Sequence, residues 1–147
     1  MLLTATVASL VALGIETYVF TVAYPLFATI GAAEFPAAHA FHAERITYSI
    51  GPALLVAFSA NVAFALERPR GIPAALPIAA AVAGGAVLAI TAFVQVPLHA
   101  RLSELGRDLP TIARLNANEW MRALATFAQA ACDVAMVALL LRRTAGS

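Results

Sequence analysis

The chain has no lysine and one cysteine, and charged residues of either sign fill only 12% of its 147 positions. Each scarcity excludes something. No basic cluster is interleaved with aromatics, and a formal net charge of +1 offers little field, so nucleic acid is not a natural partner. The single thiol, Cys132, cannot form an intrachain disulfide and, lying inside an apolar run, reads as a small core residue. Also missing are a glycine-rich phosphate loop, a nucleophilic serine in an elbow motif and a series of intramembrane arginines of the voltage-sensor kind. No repeat or low-complexity linker divides the chain, which reads as one domain.

What is present is apolar. Hydrophobic residues make up 62% of the sequence and the mean hydropathy is +0.86, well beyond what a soluble core needs. Four apolar runs, at about 3–30, 38–66, 72–98 and 110–141, each exceed the roughly 20 residues that a hydrocarbon layer of about 30 Å requires. The expected fold is an all-α integral membrane bundle of four transmembrane helices with both termini on one side. The first run is not read as an export signal, because it lacks a basic leading segment and is too long for a cleaved one. Pro52 is expected to kink the second helix, and Gly84-Gly85 to allow close helix contact in the third. Arg101 to Asp108 reads as a polar loop, with Asp108 capping a fourth helix that carries Pro110 in its first turn.

An even number of spans puts the termini and the Glu67–Gly71 turn on one side, here side A. Arg68, Arg70, Arg142 and Arg143 stand there against Glu67, while side B mixes Arg101, Arg107 and Arg114 with Glu34, Glu44, Glu104 and Asp108. Basic residues near span ends orient membrane proteins toward the cytoplasm, so the expected location is the cell membrane, multi-pass, with cytoplasmic termini.

Polar residues inside the runs fall at helical spacing. In the fourth, Asn118, Arg122, Thr126, Gln129 and Asp133 share one face; the third repeats this with Thr91, Gln95 and His99, the second with His42, Arg45 and Ser49, the first with Glu16 and Tyr24. Counting inward from the span ends gives layers. His42, His99 and Asn118 lie at the side B interface, Tyr24, Arg45, Tyr48, Gln95 and Arg122 near the lipid edge, and Glu16 and Gln129 near the midplane, with Asp133 deeper. Ionisable groups are costly in lipid and turn to the bundle interior, so Glu16 is expected to face Arg45 or Arg122. Such a pair either fixes helix register or binds an anionic or carbonyl-bearing ligand, with Glu16 exchanging a proton.

The histidines invite a metal. His39 and His42 at i and i+3 share a face, and His99 ends the next helix on the same side, a set that suits copper or zinc with Glu119 as an oxygen ligand. A bis-histidine haem through His42 and His99 is a further option, as is no cofactor at all. His39 by itself also reads as a solvated interfacial residue.

The motifs His42-x-x-Arg45, Gln95-x-Pro97-x-His99 and Asn118-x-Trp120-x-Arg122, within four spans, resemble small bacterial membrane proteins grouped with anthrone-oxygenase-like proteins. The membrane glutathione-transferase family matches in size and span number, but its Arg/Asn/Glu pattern is absent from the second helix. The anthrone-oxygenase resemblance implies oxidation of polycyclic phenolic substrates by molecular oxygen, with His42, Arg45, His99, Asn118, Trp120 and Arg122 at the site. The residues then suggest an oxidoreductase or oxygenase acting on a lipophilic aromatic or quinone-like small molecule that enters from the membrane or from side B. A histidine would abstract a proton while arginine and asparagine stabilise the oxyanion. The competing reading is a transporter or an accessory subunit of a membrane complex. For this a homo-oligomer contact is available in the small residues Ala79 to Gly85, and membrane lipid is a partner in either case.

Overall fold

The computed structural model describes residues 1–67 and 71–145. Arg68 and Arg70, two of the side A arginines, lie outside the described residues. Among the described residues the fold is four helices and no strand: α1 Leu2–Phe27, α2 Phe35–Glu67, α3 Ala75–Leu105 and α4 Leu109–Ala145. All four are long and apolar enough to cross a bilayer. They run up and down in chain order, α1 against α2, α2 against α3, α3 against α4, and α4 back against α1. Leu2, Phe64, Ile72, Ala80 and Met136 form one apolar cluster, which puts the amino terminus, the α2–α3 turn and the last part of α4 at the same end of the bundle.

The distribution of side chains is the reverse of a soluble bundle. Leu10, Phe20, Leu55, Val82, Phe93, Leu124 and Phe127 point outward, whereas Ser9, Glu16, Asn61, Gln95, Glu119, Arg122, Gln129 and Asp133 are buried. Water would penalise the first set and a dry core the second, unless the buried groups satisfy one another.

Two helices depart from regular α geometry. A π-helical turn spans Val19–Ala23 in α1, where Tyr24 N–H donates to Val19 O, and another spans Thr91–Gln95 in α3, where Val96 N–H donates to Thr91 O. Each directly precedes a proline pair, Tyr24-Pro25 and Val96-Pro97. Proline has no N–H to donate and its ring crowds the carbonyl one turn back, and widening that turn relieves both. The wider turn changes the spacing of the inward face. Ser9 to Glu16 is seven residues and Glu16 to Tyr24 eight; Ala80 to Val87 is seven and Val87 to Gln95 eight. The extra residue turns Tyr24 and Gln95 inward. Pro52, by contrast, lies inside a helix that runs unbroken from Phe35 to Glu67.

The ends differ from the sequence reading in physically simple ways. α1 stops at Phe27, where 3₁₀-type bonds tighten the turn (Thr29 N to Leu26 O, 2.9 Å) and Arg107 Nη2 donates to the Ala28 carbonyl at 2.8 Å. α3 continues through the segment read as a loop as far as Leu105. Leu102 is buried with Phe27, Phe35 and Ile112, and that contact holds the last turns helical. Only residues 106–108 connect α3 to α4, with Gly106 at φ +71° making the turn. Asp108 caps α4 as its position suggests, its Oδ2 accepting from Thr111 N at 3.1 Å.

Candidate functional site

The side B half of the bundle gathers all three histidines. On α2 the buried face runs Phe35, His39, Ile50, Leu54, Ala57, Asn61 and Phe64, with His42 half-buried beside it. On α3, the π turn and Pro97 bring His99 opposite. The rings of His39 and His99 stack at 5.2 Å and 24°, and those of His42 and His99 at 5.7 Å and 20°. Phe35 extends the stack beyond His39 at 5.6 Å and 10°, while Phe27 sets its edge against His42 at 4.9 Å.

Hydrogen bonds continue from the stack into the core. His39 Nε2 and His99 Nδ1 lie 2.9 Å apart, and His99 Nε2 lies 2.9 Å from Tyr24 Oη. Arg122 Nη2 donates to Tyr24 Oη at 3.4 Å. One direction of donation satisfies the whole chain: Tyr24 O–H donates to His99 Nε2 and His99 Nδ1–H donates to His39 Nε2. The opposite direction would leave the phenol hydrogen without an acceptor among the described residues.

Below Tyr24 lies a charged cluster. Glu119 Oε1 accepts from Arg122 Nη2 at 2.7 Å and from Arg122 Nε at 3.2 Å, and Glu119 Oε2 accepts from Gln95 Nε2 at 2.9 Å. Glu16 Oε2 is 3.1 Å from Arg122 Nε. The Nε hydrogen, however, is directed at Glu119, so Glu16 forms an ion pair without hydrogen-bond geometry, and neither of its carboxylate oxygens has a hydrogen-bond partner among the described residues. Two carboxylates thus surround one guanidinium, all three groups buried. If both were ionised the cluster would carry a net negative charge in a dry interior, so the arrangement favours a proton on one of them.

A cavity of about 470 Å³ opens between α2 and α3. Ile46, Ile50, Leu54 and Leu88 line its apolar body, Leu55 and Val96 stand outward at its rim, and Tyr24, Gln95, His99 and Arg122 form its polar wall. Such a space, apolar with a few convergent polar groups, has the character of a small-molecule site.

Of the residues singled out in the sequence, Glu16, Tyr24, His42, Gln95, His99 and Arg122 come together here, and Glu16 faces Arg122 rather than Arg45. Four others point elsewhere. Arg45 is exposed with its guanidinium 5.4 Å over the Phe41 ring, Tyr48 is 74% exposed, Trp120 is 55% exposed, and Asn118 donates back to the Arg114 carbonyl. The inward face of α4 passes through Glu119 rather than Asn118, since a step of three from Arg122 meets the core as readily as a step of four. His39 is not solvated but 2% exposed, sealed between Phe35 and His99. Gln129 lies deeper, beside Gly84, where an added Cβ would come within 2.8 Å of its Nε2; this is the close α3–α4 contact that glycine permits.

The metal set does not assemble. Among the described residues no three His, Cys, Asp or Glu side chains are arranged to hold an ion. His39 Nε2 and His99 Nδ1 are committed to each other at hydrogen-bond distance, and Glu119 is occupied by Arg122 and Gln95. Nor does the His42–His99 pair suit haem, because two stacked rings leave no porphyrin plane between their nitrogens.

Ser9 and Asn61, which the sequence reading passed over, are fully buried with Asp133. Their signal was available: Ser9 lies seven residues before Glu16, on the same stripe. No family model, curated protein or solved structure matches the chain.

Proposed function

We propose that the chain is a multi-pass membrane protein, termini in the cytoplasm, that admits a lipophilic aromatic or quinone-like molecule between α2 and α3 and performs proton-coupled oxidation on it. The observation carrying this reading is the cavity whose body is apolar and whose wall is Tyr24, Gln95, His99 and Arg122. Its rim lies among outward apolar side chains, so a hydrophobic molecule reaches it from the hydrocarbon without crossing water. A hydroxyl or carbonyl head then meets the polar wall. Tyr24 and His99 accept the phenolic or carbon-bound proton and pass it toward His39, while Arg122 and Gln95 stabilise the oxyanion left behind. Molecular oxygen is the proposed oxidant of that electron-rich anion, as the resemblance to anthrone-oxygenase-like proteins suggests. Of the six residues that the resemblance implies at the site, His42, His99 and Arg122 belong to this cluster, whereas Arg45, Asn118 and Trp120 face outward.

Gly51 tests the reading. It lines the cavity, and a Cβ placed there meets nothing within 4 Å, so a leucine side chain fits the protein while filling the space. In bilayer nanodiscs, Gly51→Leu is expected to keep the melting temperature while weakening binding of a short-chain benzoquinone or a tricyclic phenol more than tenfold, about 1.4 kcal/mol or more. Equal binding by both proteins would place the ligand elsewhere.

A further inference from the structure

Below the charged cluster, separated from the cavity, lies a second polar group that the proposed chemistry does not use. Ser9 of α1, Asn61 of α2 and Asp133 of α4 meet with no exposed surface. Ser9 Oγ donates to Asp133 Oδ2 at 2.6 Å, and Asn61 Nδ2 donates to the same oxygen at 3.2 Å and to the Ala57 carbonyl at 3.0 Å. These bonds consume the hydroxyl hydrogen of Ser9 and both hydrogens of the Asn61 amide. Two acceptors remain, Asp133 Oδ1 and Asn61 Oδ1, and neither has a partner among the described residues.

Among the described residues no charge nearby compensates a carboxylate. Glu16 is two turns from Ser9 along α1, roughly 10 Å away, and Arg122 is three turns from Asp133 along α4. On α2 the nearest ionisable group is Glu67, six residues past Asn61, and α3 carries none between Ala75 and Leu98. Cys132 is adjacent on α4, and the Met1 amine, Arg142 and Arg143 lie two turns or more toward the end of the bundle. Gln129 Nε2, one turn away, is itself without a hydrogen-bond partner among the described residues and bonds to neither orphan oxygen. Below Asp133 the interior is closed by Leu2, Phe64, Ile72, Ala80 and Met136.

We propose that Asp133 is a buried proton-binding site in which the neutral acid and the Asn61 amide form a closed two-point pair. A hydrogen on Asp133 Oδ1 donates to Asn61 Oδ1 while Asn61 Nδ2–H donates to Asp133 Oδ2. One proton thus satisfies both orphan oxygens and removes the uncompensated charge, which a neutral donor such as the Gln129 amide would not do. The pair joins α2 to α4, with Ser9 tying in α1, so the proton is a structural ligand that holds three helices together.

The chain has only two aspartates, Asp108 and Asp133, and Asp108 sits at the α4 cap. Protein labelled with carbon-13 at the aspartate carboxyl, in nanodiscs, therefore gives two infrared and NMR signals. The expected result is one ionised carboxyl that titrates in the ordinary acid range, and one that stays neutral from acidic to mildly alkaline pH and disappears in Asp133→Asn. In Asn61→Leu the neutral carbonyl stretch should move to higher frequency, because the acid loses its acceptor. Two ionised signals at neutral pH in the wild-type protein would overturn the proposal, as would a neutral stretch unchanged by Asn61→Leu. A second signal that responds to sodium at fixed pH would also overturn it, replacing the proton with a small cation.

Discussion

At the scale of single residues, Arg122 organises the interior. It pairs with Glu119 and Glu16, touches Tyr24, and lines the cavity. Removing it strands two buried acids, and loss of one partner from a buried pair typically costs about 3–5 kcal/mol. Arg122→Met is therefore expected to unfold in detergent at a markedly lower temperature, by thermal melting followed with circular dichroism. Glu16→Gln should melt near the wild-type temperature, because Arg122 keeps Glu119 as its counter-ion and no buried charge is left unpaired. Equal destabilisation by both would contradict this charge arrangement. The sequence made this pair legible, since two ionisable groups on different apolar helices have few places to go. Arg45 was not legible in the same way. On α2 it lies a quarter turn from the buried face, and a stripe drawn through His42 accommodates either Arg45 or Ile46 until the neighbouring helices are known. His39 was misjudged for a related reason: only the partner rings of Phe35 and His99 turn an interfacial position into a sealed one.

At the scale of elements, the existence and order of the four helices followed from apolar run length, and their ends did not. Hydropathy marks where lipid stops, whereas Leu102 keeps α3 helical beyond that point through contacts with other elements. The cap of α4 was local and therefore readable. It also makes a pH prediction. Hydrogen bonds from Thr111 hold the Asp108 carboxyl below its ordinary value. A group with a depressed folded value contributes its stability above the unfolded pKa and loses it as pH falls through the folded one. The melting temperature of Asp108→Ala should accordingly lie below that of the wild-type protein at neutral pH, and the two should converge as the solution becomes strongly acidic. A difference that persists at low pH would assign the effect to packing instead.

At the scale of the whole molecule, four spans with the termini at one end place both on the same side of a membrane, and the proposed orientation makes that side the cytoplasm. Cytoplasmic-activity reporters fused at the amino and carboxyl ends should both be active, and the same reporter placed in the 106–108 connection should be silent. Active and silent results exchanged would invert the orientation while leaving the bundle intact; termini on opposite sides would refute four spans. What the sequence could not supply at this scale is the cavity, because empty space is a property of how α2 and α3 splay and no residue encodes it alone.

The π turns carry a consequence for how this chain tolerates change in length. Each holds one residue more than a regular helix of the same reach, a surplus stored at Val19–Ala23 and again at Thr91–Gln95. Deleting the outward-facing Phe93 should let α3 revert to a plain helix, with Leu102 and Val87 still in phase with the core. A one-residue deletion is expected to shift most helices out of register, yet here the variant should fold and keep the Gln95–Glu119 contact, because Gln95 then follows Val87 by seven residues, a regular inward step. Deleting Val82, in the regular part of α3, should instead unfold the protein, and comparing the two melting curves separates a stored residue from a required one.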